Sequence, residues 1–400
     1  MRSPSILVLA LVVLLRPPET LSGEDLLDPT LVTADALPEW VGRDAYAVEF
    51  LDEAEIQAMP RPNLDSILRQ QPGFRLFRRS GSETAHPTTQ GLSLRNVGPN
   101  GASRTEVYLD GIPQNDPFGG WINWTRLPPS SLSQVTIIRD GGVNPWGRDS
   151  VGGTLSIQRR WPEASSILLE GKTGTTTRYD SLITGNVTSK TTGTQIMAGG
   201  HFANLNGYHV IHSSQRGPVD RKAGHETRTG WLNLRQPLND FWTMDGGFSL
   251  HHHNRNNGTR LQTNESEALD WHLRLEGENQ TGSFRQEWTL YHQSREFSSQ
   301  FSAVTADRTS ERAVLDQYRV PATAIGFSNR SRLQWDRHLL TFGTDFRQAD
   351  GKTHERFRNL GEGFTRLRVA GGEQWNAGMF LMDSWDATEA IQLHLGARLN

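Results

Sequence analysis

The sequence predicts a mainly β protein in which a small α+β domain precedes an antiparallel transmembrane β-barrel. Three observations predict this fold class. The chain opens with an apolar run suited to export, and a turn-rich segment with short strands follows it. From about residue 165 onward, apolar and polar residues alternate in strands of about ten residues.

The composition excludes several other classes. The 400 residues include 41 Lys and Arg against 44 Asp and Glu, and a formal net charge of -3 does not indicate a nucleic-acid partner. The mean hydropathy of -0.57 excludes a bundle of transmembrane helices, because each helix needs about 20 consecutive apolar residues. A barrel is still possible, since only alternate residues of its strands face lipid. The absence of cysteine excludes disulfide scaffolds, thiolate metal sites and cysteine nucleophiles.

Residues 1–23 have the layout of a secretory signal peptide. The ten apolar residues at 6–15 follow Arg2 and precede Pro17, and the small residues Ser22 and Gly23 stand where cleavage could occur. The alternative is a buried core helix, which is disfavoured because nothing amphipathic follows the run. Export of a chain without cysteine fits the bacterial periplasm or outer membrane.

Residues 24–160 form two regions of different character. Residues 24–45 are acidic, contain Pro29 and Pro38 and show no periodicity, so we expect an extended or disordered tether. Residues 46–160 have the pattern of a compact α+β domain. A helical stretch within 53–70 ends at Pro72 and Gly73, and short strands are predicted at 91–94, 105–109, 134–138 and 153–157.

Residues 161–400 carry the alternating pattern. Near the C-terminus, Ile391, Leu393 and Leu395 alternate with Gln392 and His394. Eleven strands are predicted, near 165–174, 178–189, 192–204, 226–237, 239–253, 267–278, 282–295, 323–336, 337–349, 373–386 and 388–400.

A β-sandwich and a membrane barrel could both produce this alternation. Tight links such as 238–240 alternate with long polar segments such as 207–227 and 351–372, which favours the barrel. Aromatic residues near strand ends suit an interfacial girdle: Trp231, Trp242, Trp271, Trp288, Tyr291, Trp335, Trp375 and Trp385.

The N-terminal domain resembles the plug of TonB-dependent outer-membrane receptors. The motifs that carry the resemblance occur in the family's order within about 100 residues: a helix then Pro72-Gly73-Phe74, Leu92-Ser93-Leu94-Arg95, Leu109-Asp110-Gly111-Ile112-Pro113, a strand ending at Arg139, and Trp146-Gly147-Arg148-Asp149-Ser150-Val151-Gly152-Gly153. Asn96 and Asp140 stand where the family has glycine, which suggests a divergent subfamily.

The resemblance implies how the barrel continues. Bacterial single-chain barrels have an even number of strands, and plugged outer-membrane transporters have 22. Eleven strands are therefore expected to be about half of a 22-stranded barrel. We expect these 400 residues alone not to insert as a sealed, gated pore, because two barrel edges would stay open.

The tether contains a segment that resembles a TonB box, formed by Asp28, Pro29, Thr30, Leu31, Val32 and Thr33. A short β-prone segment in a flexible tether can add as a strand to the sheet edge of a partner. The resemblance therefore implies a TonB-type energising protein in the periplasm as a partner. A plain linker is the alternative.

Loops of the plug are the candidate ligand contacts. Arg78, Arg79 and Arg104 would give two loops a positive charge suited to an anionic ligand. The loop after the Leu109 to Pro113 motif adds Asn115, Asp116, Phe118, Trp121 and Trp124, whose aromatic rings suit a planar or amphipathic ligand. Packing against the barrel interior explains Phe118 and Trp124 equally well.

The charged motif residues also have two interpretations. Arg95, Arg139, Asp110 and Asp149 could lock the plug to the barrel wall, or they could form turns and strand ends within the plug. The second interpretation is slightly favoured.

No catalytic or metal site is predicted. His251, His252 and His253 cannot converge on one ion, because consecutive strand residues point to opposite faces; a site on the following loop is the alternative. We find no catalytic constellation, so no enzyme activity and no cofactor are expected.

The resemblance implies a bacterial outer-membrane protein that contacts outer-membrane lipid and a small-molecule ligand. The first hypothesis is a TonB-dependent transporter for a ferric siderophore or cobalamin. The second is a passive porin or surface adhesin with a structural N-terminal domain, and the third is a secreted β-rich hydrolase.

Overall fold

The structure, a computed structural model, describes residues 47–59, 63–78, 80–94, 101–139, 152–174, 177–388 and 391–400. Two helices and eighteen strands lie in these ranges. No helix among the described residues is both long and apolar enough to cross a membrane.

The N-terminal domain is built on a five-stranded mixed sheet. Its strands are β1 (Val48–Asp52), β4 (Glu106–Leu109), β5 (Ile112–Pro113), β6 (Leu132–Ile138) and β7 (Thr154–Arg159), in the order β1-β6-β7-β4-β5. The pair β4 and β7 is parallel, and the other neighbours are antiparallel. The strands β2 (Arg75–Leu76) and β3 (Leu92–Ser93) form a separate pair.

Two short helices replace the helical stretch predicted within 53–70. They are α1 (Glu53–Ala58) and α2 (Leu64–Leu68). Asp52 begins α1 with a reciprocal cap, since its side chain accepts from the Glu55 N–H at 2.7 Å and the Glu55 carboxylate accepts from the Asp52 N–H at 3.0 Å. Leu64, Ile67 and Leu68 of α2 are buried in the domain core.

The second part of the chain is one antiparallel sheet of eleven strands in chain order, here called the wall. The predicted count of eleven strands is confirmed. The strands are β8 (Ser166–Gly174), β9 (Arg178–Thr188), β10 (Gln195–His209), β11 (Lys222–Pro237), β12 (Trp242–Asn256), β13 (Thr263–Glu278), β14 (Phe284–Val304), β15 (Glu311–Trp335), β16 (His338–Asn359), β17 (Phe364–Thr388) and β18 (Ile391–Leu399).

The wall has two different faces. One face packs on the N-terminal domain and is polar: on β12, His251 and His253 are buried there. The other face is apolar and exposed, as with Phe248 and Leu250 on the same strand. The exposed apolar residues continue across neighbouring strands: Ile196, Leu234, Leu269, Trp271, Leu273, Ile325 and Phe342. Polar inside and apolar outside is the pattern of a transmembrane barrel.

The segment at 351–372 corrects the prediction of a long polar loop. β16 runs to Asn359 and β17 begins at Phe364, so only residues 360–363 connect them. The segment at 207–227 is likewise shortened to residues 210–221 by the ends of β10 and β11. These strand extensions lose the apolar alternation because neither of their faces needs to contact lipid.

The predicted aromatic girdle is correct only in part. Trp335 lies at the end of β15, and His338 stacks on Trp385 at 5.6 Å beside the same turn. Trp231 and Tyr291 face the N-terminal domain instead: Tyr291 is 6% exposed, and Trp231 packs over the backbone of Gly199. Whether an aromatic side chain faces outward depends on which face of its strand it occupies. Its distance from the strand end does not decide this.

Candidate ligand-binding site

The two ends of the wall differ in their connections. Residues 210–221, 257–262 and 305–310 connect strands at one end, here called the loop end. Short connections such as 238–241 and 336–337 lie at the other end. The apex of the N-terminal domain at residues 77–90 lies toward the loop end, since His86 contacts Ser299 near the end of β14.

An open cavity of about 400 Å³ lies between this apex and the wall. Hydroxyl and amide groups dominate its lining, and Arg78 brings a positive charge. The lining residues are Arg78, Ser80, Thr84, Ala85, His86, Thr89, Asn257, Gln262, Gln300, Phe301 and Ser302. The volume falls within the range of small-molecule sites, about 300–1,000 Å³. Of the two predicted arginines that the structure describes, Arg78 and Arg104, Arg78 lines this cavity.

His86 lines the cavity and is held by contacts on both sides of its ring. Its Nδ1 lies 2.9 Å from Thr88 Oγ1, its Nε2 lies 3.0 Å from Ser299 Oγ, and its ring stacks on Phe301 at 5.4 Å. Burial, with Arg255 and Arg78 nearby, lowers the pKa of His86 to about 4. The imidazole is therefore neutral at pH 7, and Arg78 supplies the positive charge.

The loops above the cavity are tied together by one ion pair. Arg308 donates from Nε to both carboxylate oxygens of Asp220, at 3.0 and 2.8 Å. These bonds to Arg308 lower the pKa of Asp220 to about 2. The Asp220 backbone also forms an isolated β-bridge with Thr259, so segments of three loops meet at this residue.

The second predicted ligand loop is mostly structural. Asn115 is 3% exposed, accepts from the Val107 N–H at 2.9 Å and donates to the Thr105 carbonyl at 3.1 Å. Trp124 is 1% exposed and packs edge-on against Phe74 in the core. Asn115 and Trp124 are thus enclosed by their own domain, and their ligand role stays a prediction.

The remaining residues of that loop are divided. The Asp116 carboxylate accepts from the N–H groups of Phe118 at 3.0 Å and Gly119 at 2.7 Å, which fixes the turn. Trp121 is 7% exposed and packs on Phe297 of β14. Phe118 is 41% exposed, and Arg104 is exposed too, so both remain candidates.

The plug-motif residues within the described ranges have structural roles. Arg139 pairs with Glu49 and donates to the Pro72 carbonyl at 3.0 Å, and Asp110 accepts from the Arg159 N–H at 3.0 Å. Both sets of bonds stay within the N-terminal domain. Gly73, Gly111 and Gly153 adopt φ values of 77°, 81° and 104°, which favour glycine.

Several predicted residues lie outside the described ranges. They are Asp28, Pro29, Thr30, Leu31, Val32 and Thr33 of the proposed TonB box, with Arg79, Arg95, Gly147 and Asp149. Gly152 is described and donates its N–H to the Arg104 carbonyl at 2.9 Å.

The contacts that join the N-terminal domain to the wall were missed by sequence reasoning. Arg126 pairs with Asp270 of β13, which also accepts from Arg295 Nη2 of β14 at 3.1 Å. Arg159 Nη1 donates to Asn233 Oδ1 of β11 at 2.8 Å. Burial lowers the pKa of Arg126 to about 10, so it stays charged at neutral pH. Neither arginine lies in a recognised motif, so nothing in the sequence pointed to them.

The histidine run is divided between the two faces of β12, as predicted. His251 and His253 face the N-terminal domain, and His252 faces outward with Glu265 Oε1 at 2.8 Å from its Nε2. His252, Glu265 and Glu267 place one ligand atom each within 4.8 Å of one another.

Comparisons with known proteins agree with this architecture. Residues 43–154 match the model of the TonB-dependent Receptor Plug Domain. A vitamin B12 transporter BtuB of Vibrio vulnificus strain YJ016 is 20% identical over 362 residues, which are 87% of this chain and 54% of that protein. BtuB of Photobacterium profundum is 19% identical over 41% of this chain and 26% of its own length.

Solved structures share the fold. The copper transporter OprC superimposes with a TM-score of 0.70 and 15% identity, over 88% of this chain and 55% of its own. FpvA of P. aeruginosa bound to heterologous pyoverdines gives 0.66 and 13%, over 88% of this chain and 51% of its own. The chain thus spans about half the length of these proteins.

The family model, the relatives and the shared fold agree on one assignment. A plug with the family's ordered motifs sits against a wall that is polar inside and apolar outside. The chain carries the plug domain of TonB-dependent receptors and shares the fold of the solved transporters and receptors named above.

Proposed function

We propose that the protein is a TonB-dependent transporter of the bacterial outer membrane. It binds a scarce small ligand of the ferric siderophore or cobalamin type at the cell surface and passes it to the periplasm. The energy comes from a TonB-type protein that pairs with residues 28–33. The apolar outer face of the wall contacts outer-membrane lipid.

The observation that carries this proposal is the polar contact between plug and wall. Buried and part-buried hydrogen bonds and ion pairs join the plug to strands from β9 to β14, including Arg178 with Glu83, Arg126 with Asp270, and Gln293 Nε2 with the Pro113 carbonyl at 2.6 Å. When a polar contact separates, its groups can form hydrogen bonds with water instead, whereas separated apolar surfaces gain no such bonds. A plug held in this way can be moved and reseated, as gated transport requires.

The ligand class follows from the cavity at the loop end. Hydroxyl and amide groups with one arginine suit a polar ligand that carries negative charge. Two of the similar proteins fit this class: BtuB is a vitamin B12 transporter, and FpvA is solved with bound pyoverdines.

A passive porin or adhesin is the second candidate. A porin needs an open lumen, whereas here the plug fills the space beside most strands of the wall, and Phe118 lies against Gly351 of β16. The structure therefore gives this alternative no specific support.

The test uses the natural full-length protein in a strain that lacks it. Val32→Pro removes an N–H that strand pairing with a partner needs, whereas Val32→Ala keeps it. We expect Val32→Pro to abolish uptake of labelled cobalamin or ferric siderophore while surface binding persists, and Val32→Ala to transport normally. Equal uptake by both variants, unchanged when the proton gradient is collapsed, would support the passive alternative.

A further inference from the structure

Three histidines form a stripe on the wall where it faces the plug. His225 of β11 and His251 and His253 of β12 are 6%, 5% and 1% exposed. The His253 ring stacks on His225 at 5.4 Å and on His251 at 6.2 Å. We call these three residues the histidine stripe.

The stripe is hydrogen-bonded both to the wall and to the plug. On the wall, Nδ1 of His251 lies 2.8 Å from Thr229 Oγ1, and Nδ1 of His253 lies 2.8 Å from Thr227 Oγ1. On the plug, His251 Nε2 lies 3.2 Å from the Asn123 amide, His253 Nδ1 lies 3.2 Å from Thr125 Oγ1, and His225 Nδ1 lies 3.1 Å from the Glu83 carbonyl.

The contacts of His251 and His253 fit neutral imidazoles. Asn123 Nδ2 can only donate, so His251 Nε2 must accept and carry no proton. His253 Nε2 is buried, and the described residues offer it no hydrogen-bond partner. A second proton on either ring would break a bond to the plug or leave a buried N–H without an acceptor.

The charged groups around the stripe make protonation still less favourable. Cations face it from both ends: Arg255 beside His225 and His253, and Arg126 with Arg295 beside His251. The nearby carboxylates are already engaged. Asp270 contacts Arg126 and Arg295, and Asp180 contacts Arg178 and His201. Glu83 pairs with Arg178, and Asp65 accepts hydrogen bonds from Ser82. Asp116 accepts from the turn N–H groups of Phe118 and Gly119. His252 and Glu267 lie on the outward face of the wall.

We propose that the histidine stripe is an acid-sensitive latch that positions the plug: its neutral rings hold the plug to β11 and β12, and their protonation releases that side first. The proposal rests on the transport function above, because it identifies one contact that must break when the plug moves. It adds that external acidity lowers the work needed to open this side.

The expected size follows from proton linkage. A histidine that stays neutral while the plug is seated and has an ordinary pKa near 6.5 when exposed shifts the equilibrium toward release by about 25-fold between pH 7 and pH 5. The direction is fixed, because the released state binds more protons. The contact is therefore strongest above pH 6.5 and weakens as the pH falls.

These 400 residues contain no cysteine, so an introduced thiol is unique among them, and any cysteine elsewhere in the full-length protein is replaced by serine. Ser266 of β13 is 5% exposed and, with Asn123 and His251, lines a small gap between plug and wall. In a Ser266→Cys background of the full-length protein in lipid vesicles, the rate of thiol labelling measures release of the plug. A Ser213→Cys variant on an exposed loop corrects for the effect of pH on the thiol itself.

In the Ser266→Cys protein with all three histidines unchanged, we expect the corrected labelling rate to rise at least about 25-fold from pH 7 to pH 5. A triple variant replaces all three histidines with asparagine: His225→Asn, His251→Asn and His253→Asn. Asparagine keeps a polar group at each position but cannot gain a proton. The pH dependence of this variant should be at least tenfold smaller. His252→Asn, on the opposite face of β12, should leave the dependence unchanged.

Three results would overturn the latch. They are a natural protein whose labelling does not change with pH, a triple variant that behaves like the natural protein, and a His252→Asn variant that behaves like the triple variant. The assay contains neither transported ligand nor energising partner, so it can fail while Val32-dependent uptake at pH 7 stands. Likewise, a failure of the uptake test would leave the labelling result intact.

Discussion

Arg78 and His86 show how burial separates two basic side chains that line the same cavity. The Arg78 guanidinium lies over the Phe77 ring at 5.4 Å, and Phe77 is 40% exposed. His86 is packed between plug and wall, and burial holds its pKa at about 4. Among the described residues that line the cavity, Arg78 therefore presents the positive charge to an arriving ligand, and the other polar groups are neutral.

Replacing Arg78 tests this assignment. We expect Arg78→Ala to weaken binding of an anionic ligand about 10- to 100-fold, because a hydrogen bond to a charged group contributes about 1.5–3 kcal/mol. Equilibrium binding to whole cells measures the effect. Lys190→Ala, which removes an exposed charge from a short turn at the opposite end of the wall, is the matched control. Equal losses in both variants would remove Arg78 from the site.

At the scale of elements, glycines close the plug sheet where strands meet. Gly153 precedes β7 with φ of 104°, and a Cβ there would lie 2.5 Å from the Ile138 carbonyl oxygen and 2.9 Å from Leu94 Cδ1. Gly73, with φ of 77°, approaches the Leu94 carbonyl in the same way. The motif glycines thus bring β3, β6 and β7 together, which explains their place in the sequence pattern.

Gly153→Ala should therefore destabilise the plug. A residue forced into this backbone region costs about 1–3 kcal/mol, and the close approach to Ile138 adds to the strain. Protease sensitivity of the plug and the unfolding midpoint of the full-length protein report the loss. Gly185→Ala on β9 should be nearly neutral, because no atom lies within 4 Å of its Cβ position. A neutral Gly153→Ala would contradict the role given to this turn.

At the scale of the whole molecule, the two faces of the wall decide its environment. The polar face meets the plug through Asp270, Asn233 and Gln293, and the opposite face exposes large apolar side chains. In water such a surface would aggregate, whereas in a bilayer it is the stable arrangement.

The depth of each outward residue sets the cost of adding a charge. Leu273 lies near the centre of the outward apolar run on β13, and Ser298 of β14 lies beyond the apolar band toward the loop end. Leu273→Arg should cost about 2–4 kcal/mol of folding stability in vesicles, and Ser298→Arg no more than about 1 kcal/mol. Denaturant unfolding of the full-length protein in lipid vesicles measures both. Equal costs at the two positions would contradict this placement of the band.

The sequence by itself determined the features that are local or periodic. Alternation predicted eleven strands because a strand between lipid and a polar interior must change character at every residue. The ordered motifs identified the plug because its tight turns need particular residues, as at Gly153. Opposite orientation of His251 and His252 also followed from strand geometry alone.

Only the tertiary structure decided which side chains meet across the plug and the wall. Arg126 and Asp270 are 144 residues apart, and nothing local distinguishes them from other charged residues. Trp124 and Asn115 sit in a loop that looks exposed in sequence, yet their own domain encloses them. Whether a polar residue binds ligand, holds the plug or caps a turn depends on what burial places beside it. That neighbour comes from a distant part of the chain, so local pattern cannot reveal it.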